Sequence, residues 1–180
     1  MNWRSILDRQ ATWTIKNSAD LRMTESEAVE LYRNAPLHLL MNAAHQRRNA
    51  IHGFEKVTYL IDRNINYTNV CTINCQFCSF YRPPGHAETY TQTLDEISAR
   101  ISELEQIDGV RILMQGGVNP ELPFEWYEHL LTEISQRHPT IAIDCFSPIE
   151  IEGIAEVSEL STLEVLTRLR RAGMHGLPGG

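Results

Sequence analysis

Three of the four cysteines of this 180-residue chain fall within eight residues, in the run Cys71-Thr72-Ile73-Asn74-Cys75-Gln76-Phe77-Cys78. A disulfide framework spreads its cysteines to staple distant segments, so clustering of this kind reads as metal ligation or redox chemistry. Three thiolates on one loop can bind three irons of a 4Fe–4S cube and leave the fourth iron without a protein ligand. An open iron permits inner-sphere chemistry, because a small molecule can coordinate there and receive an electron. A structural zinc site is the competing reading, with Cys145 or His86 completing the set. The three-residue gap and the lone triplet fit paired zinc spacing poorly. Three unrelated buried thiols form a further alternative.

The elements that must position this loop alternate between strand and helix from Lys56 onward. Val57 to Ile61 is β-branched and aromatic, which predicts a buried strand over about 57–62, and the cysteines follow it. Thr93 to Glu96 has the form of a capping box, and Leu94, Ile97, Ile101, Leu104 and Ile107 make a helical stripe. Val110 to Met114 predicts a second strand within 110–115, ending at Gly116-Gly117. Phe124, Tyr127, Leu130, Leu131 and Ile134 form the next stripe, closed by Pro139. Thr140 to Phe146 predicts a third strand, with Ser147-Pro148 behind it. Ser161 to Glu164 caps a helix carrying Leu163, Leu166 and Leu169. This order is an α/β fold with a parallel sheet, either open and doubly wound or a (β/α) barrel. In both, chemistry belongs at the C-terminal ends of the strands, where the cysteine segment, Gly116-Gly117 and Ser147-Pro148 all fall.

Residues 1–55 read as a helical extension whose apolar stripes call for burial against the core at 56–180. Thr24 to Glu27 is a capping box, Ala28, Leu31 and Ala35 follow at helical spacing, and Pro36 breaks the run. A second helix runs from about Leu37 to Ile51, with Gly53 as its stop.

Sixteen Lys and Arg against 23 Asp and Glu give a net charge of −7, which argues against nucleic acid or an anionic membrane as partner. The apolar runs are too short to cross a bilayer, and the polar start MNWRSILDRQ is not a signal peptide, so the expected address is cytoplasmic. Cys145 lies inside a predicted strand and reads as a buried apolar thiol. His86 and His175 have no partner at a telling spacing.

The C-x3-C-x-aromatic-C run after a first strand resembles the signature of the radical S-adenosylmethionine (radical SAM) superfamily, and the likeness extends from Lys56 to Gly180. Thr58 to Cys71, Phe77 to Arg82, Gln115 to Pro120 and Phe146 to Ile151 are similar to the dehypoxanthine futalosine cyclases of the futalosine route to menaquinone. Aminofutalosine synthases and deazaflavin synthases share parts of the pattern. The resemblance implies a partial (β/α) TIM-type barrel, a 4Fe–4S cluster on Cys71, Cys75 and Cys78, and SAM chelating the fourth iron. It further implies that Phe77 contacts the adenine through its backbone and that Gly116 and Gly117 approach the methionyl amine. Phe77 could equally pack under the loop, and the glycines could form an ordinary strand-to-helix turn. Ser147 and Glu150 would face the substrate, dehypoxanthine futalosine, although Ser147 reads equally as a helix cap. The electron would come from a donor such as flavodoxin or ferredoxin. The deoxyadenosyl radical would take a ribose hydrogen, and the sugar radical would close a spirocycle. Relatives of this kind continue past a Pro-Gly-Gly turn with a further glycine and an acidic residue. Here the sequence stops at Gly180, so the expectation is the first part of a barrel that carries a cluster but turns over poorly alone.

Overall fold

The computed structural model describes residues 2–53 and 56–178, and the chain divides into two compact units, 1–58 and 59–180. The Gly179-Gly180 end of the Pro-Gly-Gly turn lies outside the described residues. The first unit is helical: α1 (Trp3–Ala11), a short 3-10 turn (Ile15–Asn17), α2 (Glu25–Asn34) and α3 (Leu37–His52). The Thr24 box caps α2 as its sequence requires, Pro36 opens α3, and Gly53 closes it. Glu27 is buried in this unit and pairs with Arg9 at 2.7 Å.

The second unit is built on three parallel strands in the order β1 (Asp62–Ile65), β2 (Arg111–Met114) and β3 (Ala142–Cys145). Asp62 stands beside Arg111, and Arg111 beside Ala142. Helix α4 (Leu94–Glu105) joins the first two strands and α5 (Phe124–Arg137) the second pair. After β3 come α6 (Pro148–Val157) and α7 (Thr162–Ala172), and the chain then returns beside β3 through a parallel bridge between Gly176 and Asp144. Ile65, Ile112, Met114, Ile143 and Cys145 face the helices, where Ile97, Ile101, Leu131, Ile134, Val165 and Leu169 close over them without solvent exposure. Each such aliphatic side chain contributes about 1.5–3 kcal/mol by leaving water.

The first strand is not where β-propensity placed it. Val57 is 78% exposed and Tyr59 85%, whereas the strand forms over Asp62–Ile65. Partners decide this. Ile65 packs into the core, and the Asp62 carboxylate pairs with Arg111 at 2.8 Å, which in turn reaches Asp144 at 3.4 Å. Strand preference measures fit to neighbours more than intrinsic backbone taste. Ile107 is likewise outside its expected stripe, since α4 ends at Glu105 and Asp108 turns with φ of 57°. Leu163 is exposed, and Val165 takes the buried place beside Leu169. Helix α6, which the sequence reading did not assign, buries Ile151, Ile154 and Ala155 at helical spacing. Its signal was the Ser147-Pro148-Ile149-Glu150 start, a serine cap with proline at the first helical position.

Candidate functional site

The cysteine loop leaves the end of β1 and is pinned at both flanks by backbone pairing. Cys71 N–H donates to the Arg82 carbonyl at 2.9 Å, and Arg82 N–H to the Asn69 carbonyl at 2.7 Å. Asn69 clamps the returning segment, its Nδ2 donating to the Glu88 carbonyl at 2.9 Å and its Oδ1 accepting from Tyr90 N–H at 2.8 Å. Thr72 N–H donates to the Val118 carbonyl at 3.1 Å, which ties the loop to the end of β2. Within the loop, Asn74 adopts a left-handed φ of 53°, a conformation asparagine tolerates, and Cys78 N–H donates to the Cys75 carbonyl at 3.2 Å.

Cys71, Cys75 and Cys78 are free thiols and partly exposed, while Cys145 is fully buried in the core. Burial pushes the Cys145 thiol well up, with the Glu150 and Asp144 charges adding to it, so it stays protonated and inert. His86 is engaged locally, its Nδ1 accepting from Glu88 N–H at 3.1 Å, and His175 Nδ1 accepts from Ile143 N–H at the same distance. Among the described residues, no three His, Cys, Asp or Glu side chains gather around a single ion position. A cube places its three thiolates on three different irons, so they need not converge on one atom.

Gly116 and Gly117 lie directly against this loop. A Cβ on Gly117 would overlap the Val70 carbonyl and stand 2.6 Å from Cys71 Cβ; one on Gly116 would stand 2.8 Å from the Tyr67 ring. Close backbone approach, rather than an unusual φ, requires glycine at both positions. The structure therefore brings Cys71 and the glycine pair together at the C-terminal rim of the sheet. Phe77, between two of the thiols, is 94% exposed, so its side chain does not pack beneath the loop. The donor set, the exposed rim and the glycine cradle fit a 4Fe–4S cluster with a ligand on its open iron.

Ser147 and Glu150 sit on the same rim but turn inward. Ser147 caps α6, and Glu150 completes the box, accepting from Ser147 N–H and Oγ–H at 2.8 Å each. The second Glu150 oxygen accepts from the Tyr67 hydroxyl at 2.8 Å and from Gly116 N–H at 2.9 Å. Burial pushes the Glu150 carboxyl above the usual carboxylate range, opposed by those Ser147, Gly116 and Tyr67 donors. The sequence led us to expect these two side chains to face a substrate; in the structure their polar atoms are engaged with each other and with the strand ends.

Sequence reasoning missed Tyr67. Its ring is wholly buried, 5.6 Å from Phe146 and 6.2 Å from Tyr127, both edge-on. It also missed His138, buried where α5 ends, whose ring joins Ser98 at 2.7 Å and Glu105 at 2.9 Å and so ties α5 to α4. A tyrosine four residues before the first cysteine was visible; that its hydroxyl meets a carboxylate 83 residues away was not.

The chain is 43% identical over 159 residues to a cyclic dehypoxanthine futalosine synthase of Halalkalibacterium halodurans, covering 88% of this chain and 43% of that protein. A Streptomyces coelicolor protein of the same name is 39% identical over 177 residues, 97% of this chain and 43% of the relative. An FO synthase of Streptomyces avermitilis is 36% identical over 95% of this chain and 20% of its own length. The chain thus spans less than half the length of these curated relatives. Among solved structures, methylornithine synthase (PylB) superposes with a TM-score of 0.58 at 15% identity, over 97% of this chain and 58% of that one, which supports the fold. The family model of the Radical SAM superfamily matches residues 65–179, from the end of β1 past the return beside β3, and the chain belongs to that superfamily.

Proposed function

We propose that this chain forms the cluster- and SAM-binding part of an enzyme that converts dehypoxanthine futalosine to its cyclic product in menaquinone biosynthesis. The observation that carries the reading is the identity of 43% and 39% to two synthases of that name, supported by the close approach of Gly117 to Cys71. The chemistry supplied when cluster and SAM are bound is one-electron cleavage of SAM to methionine and a 5′-deoxyadenosyl radical.

In this reading Cys71, Cys75 and Cys78 hold the cluster, and the flanking pairs of Cys71 with Arg82 and Thr72 with Val118 fix the loop that presents them. Gly116 and Gly117 let the end of β2 approach without a side chain in the way. Phe77, exposed at the loop tip, is the residue through which the loop meets the adenine. The aromatic group of Tyr67, Tyr127 and Phe146 closes the floor behind the rim and keeps it dry. A small reductant protein such as flavodoxin or ferredoxin supplies the electron, and the setting is cytoplasmic; among the described residues no helix is long and apolar enough to cross a membrane.

A second reading, a deazaflavin-forming enzyme, is favoured only by the FO synthase likeness at 36% identity. The test is anaerobic reconstitution with iron and sulfide, followed by SAM cleavage with and without dehypoxanthine futalosine. Cleavage stimulated by that substrate and formation of the cyclic product support the proposal. Cleavage that ignores it, with no cyclic product, contradicts the proposal.

A further inference from the structure

The C-terminal ends of all three strands meet on one carboxylate. Tyr67 lies two residues past β1, Gly116 two past β2 and Ser147 two past β3, and Glu150 bonds to each of them at 2.8–2.9 Å while only 4% exposed. Among the other capping-box glutamates, Glu27 reaches beyond its own cap only to Arg9 on the neighbouring helix. Glu96 and Glu164 make the same box and hydrogen-bond only to their own cap residues, Thr93 and Ser161. A chain turn at some cost delivers Glu150 to this place. Phe146, buried and bulky, takes a left-handed φ of 60° immediately before the cap, a strained conformation that persists only where its surroundings enforce it.

The route from this carboxylate to the thiols is short. Glu150 holds the Gly116 N–H; Gly117 packs against Val70 and Cys71 Cβ; the Val118 carbonyl takes the Thr72 N–H. The stretch 116–118 is thus the seat of the loop's first cysteine, and Glu150 fixes one end of that seat. Tyr67, whose ring Gly116 touches, is fixed by the same oxygen.

We propose that Glu150 is a positioning residue for the cysteine loop: by holding Gly116 and Tyr67 it sets where Cys71 is presented, and with it the geometry of the bound cluster. This rests on the proposed iron–sulfur function. Glu150→Gln is the incisive change, since glutamine keeps the shape and serves well at this position of a capping box. Its amide has one acceptor oxygen where the carboxylate has two, so either the Gly116 and Tyr67 pair or the Ser147 pair must face an NH2 group. Glu164→Gln is the control, a capping glutamate with no link to the rim.

The wild-type chain and both variants are reconstituted anaerobically, assayed for iron and sulfide, reduced, and examined by electron paramagnetic resonance with and without SAM. The expected result is equal cluster content in all three, a wild-type spectrum for Glu164→Gln, and shifted g-values for Glu150→Gln. SAM titration of Glu150→Gln should show binding weakened about tenfold, the size of one hydrogen bond to a charged acceptor. A Glu150→Gln spectrum and SAM response identical to wild type would overturn the inference while leaving the iron–sulfur function standing. A wild-type chain that takes up no iron and sulfide would overturn both. Should Glu150→Gln fail to fold, Tyr67→Phe removes one donor and keeps the ring; it should shift the spectrum in the same direction by less, and an unchanged spectrum refutes the proposal.

Discussion

Ile112 and Met114 of β2 and Ile143 and Cys145 of β3 expose no surface, whereas eleven residues of cysteine loop between Cys71 and Tyr81 expose partly or fully every side chain they carry. The two regions are held by different forces. The sheet and its helices are stabilised by apolar area removed from water, shared over many residues and tolerant of small adjustments. The loop has no such core. Its shape comes from backbone pairs at its flanks, a close contact with Gly117, and a few side-chain contacts such as Tyr81 with Asn74 and Phe80 with Tyr90. The difference teaches that the fold does not depend on the thiols, while the thiols depend closely on where the strand ends lie.

Three substitutions press on that separation. The largest effect on stability should come from Ile143→Ala, where deletion of a fully buried side chain in the central layer costs about 2–5 kcal/mol in chemical denaturation. Iron bound per folded molecule should stay near wild type, and a matching loss of cluster would show that core and loop are not separable. Gly117→Ala comes next. The added methyl must displace Val70 or Cys71, at a cost of roughly 1–3 kcal/mol, and here cluster content should fall with it. Full iron content in that variant would mean that the glycine is not the seat of the loop. The smallest effect on stability is expected from Phe77→Ala, within about 0.5 kcal/mol because the ring is almost entirely in solvent. If Phe77 meets the adenine by its backbone alone, SAM affinity changes little as well; a marked loss would bring the exposed ring itself into the contact.

The parts of this molecule legible in its sequence are those in which a local pattern decides the outcome. The boxes at Thr24, Thr93 and Ser161 start helices as written, and the stripe from Phe124 to Ile134 is buried as its spacing demands. Parallel pairing followed from strands separated by helices. The thiol triplet needed only its spacing to suggest iron. Long-range partners decided the rest. Val57 to Ile61 is as good a strand by composition as any in the chain, yet Ile65 and the Asp62 to Arg111 ion pair place the strand farther on. Glu150 reads from its sequence as a residue facing a substrate past the third strand, and is a buried joint because Tyr67 and Gly116 converge on it from other strands. Nothing within several residues of either partner encodes that meeting.

The central claim is that Cys71, Cys75 and Cys78 hold a 4Fe–4S cluster at the rim of the sheet. Iron and acid-labile sulfide should be measured after anaerobic reconstitution of the wild-type chain, of each single Cys→Ser variant in the triplet, and of Cys145→Ala. The account predicts about four irons and four sulfides per chain for wild type and Cys145→Ala, and near-complete loss in each triplet variant with helical content unchanged. Retention of the cluster in any one of the three, or its loss in Cys145→Ala, would contradict it.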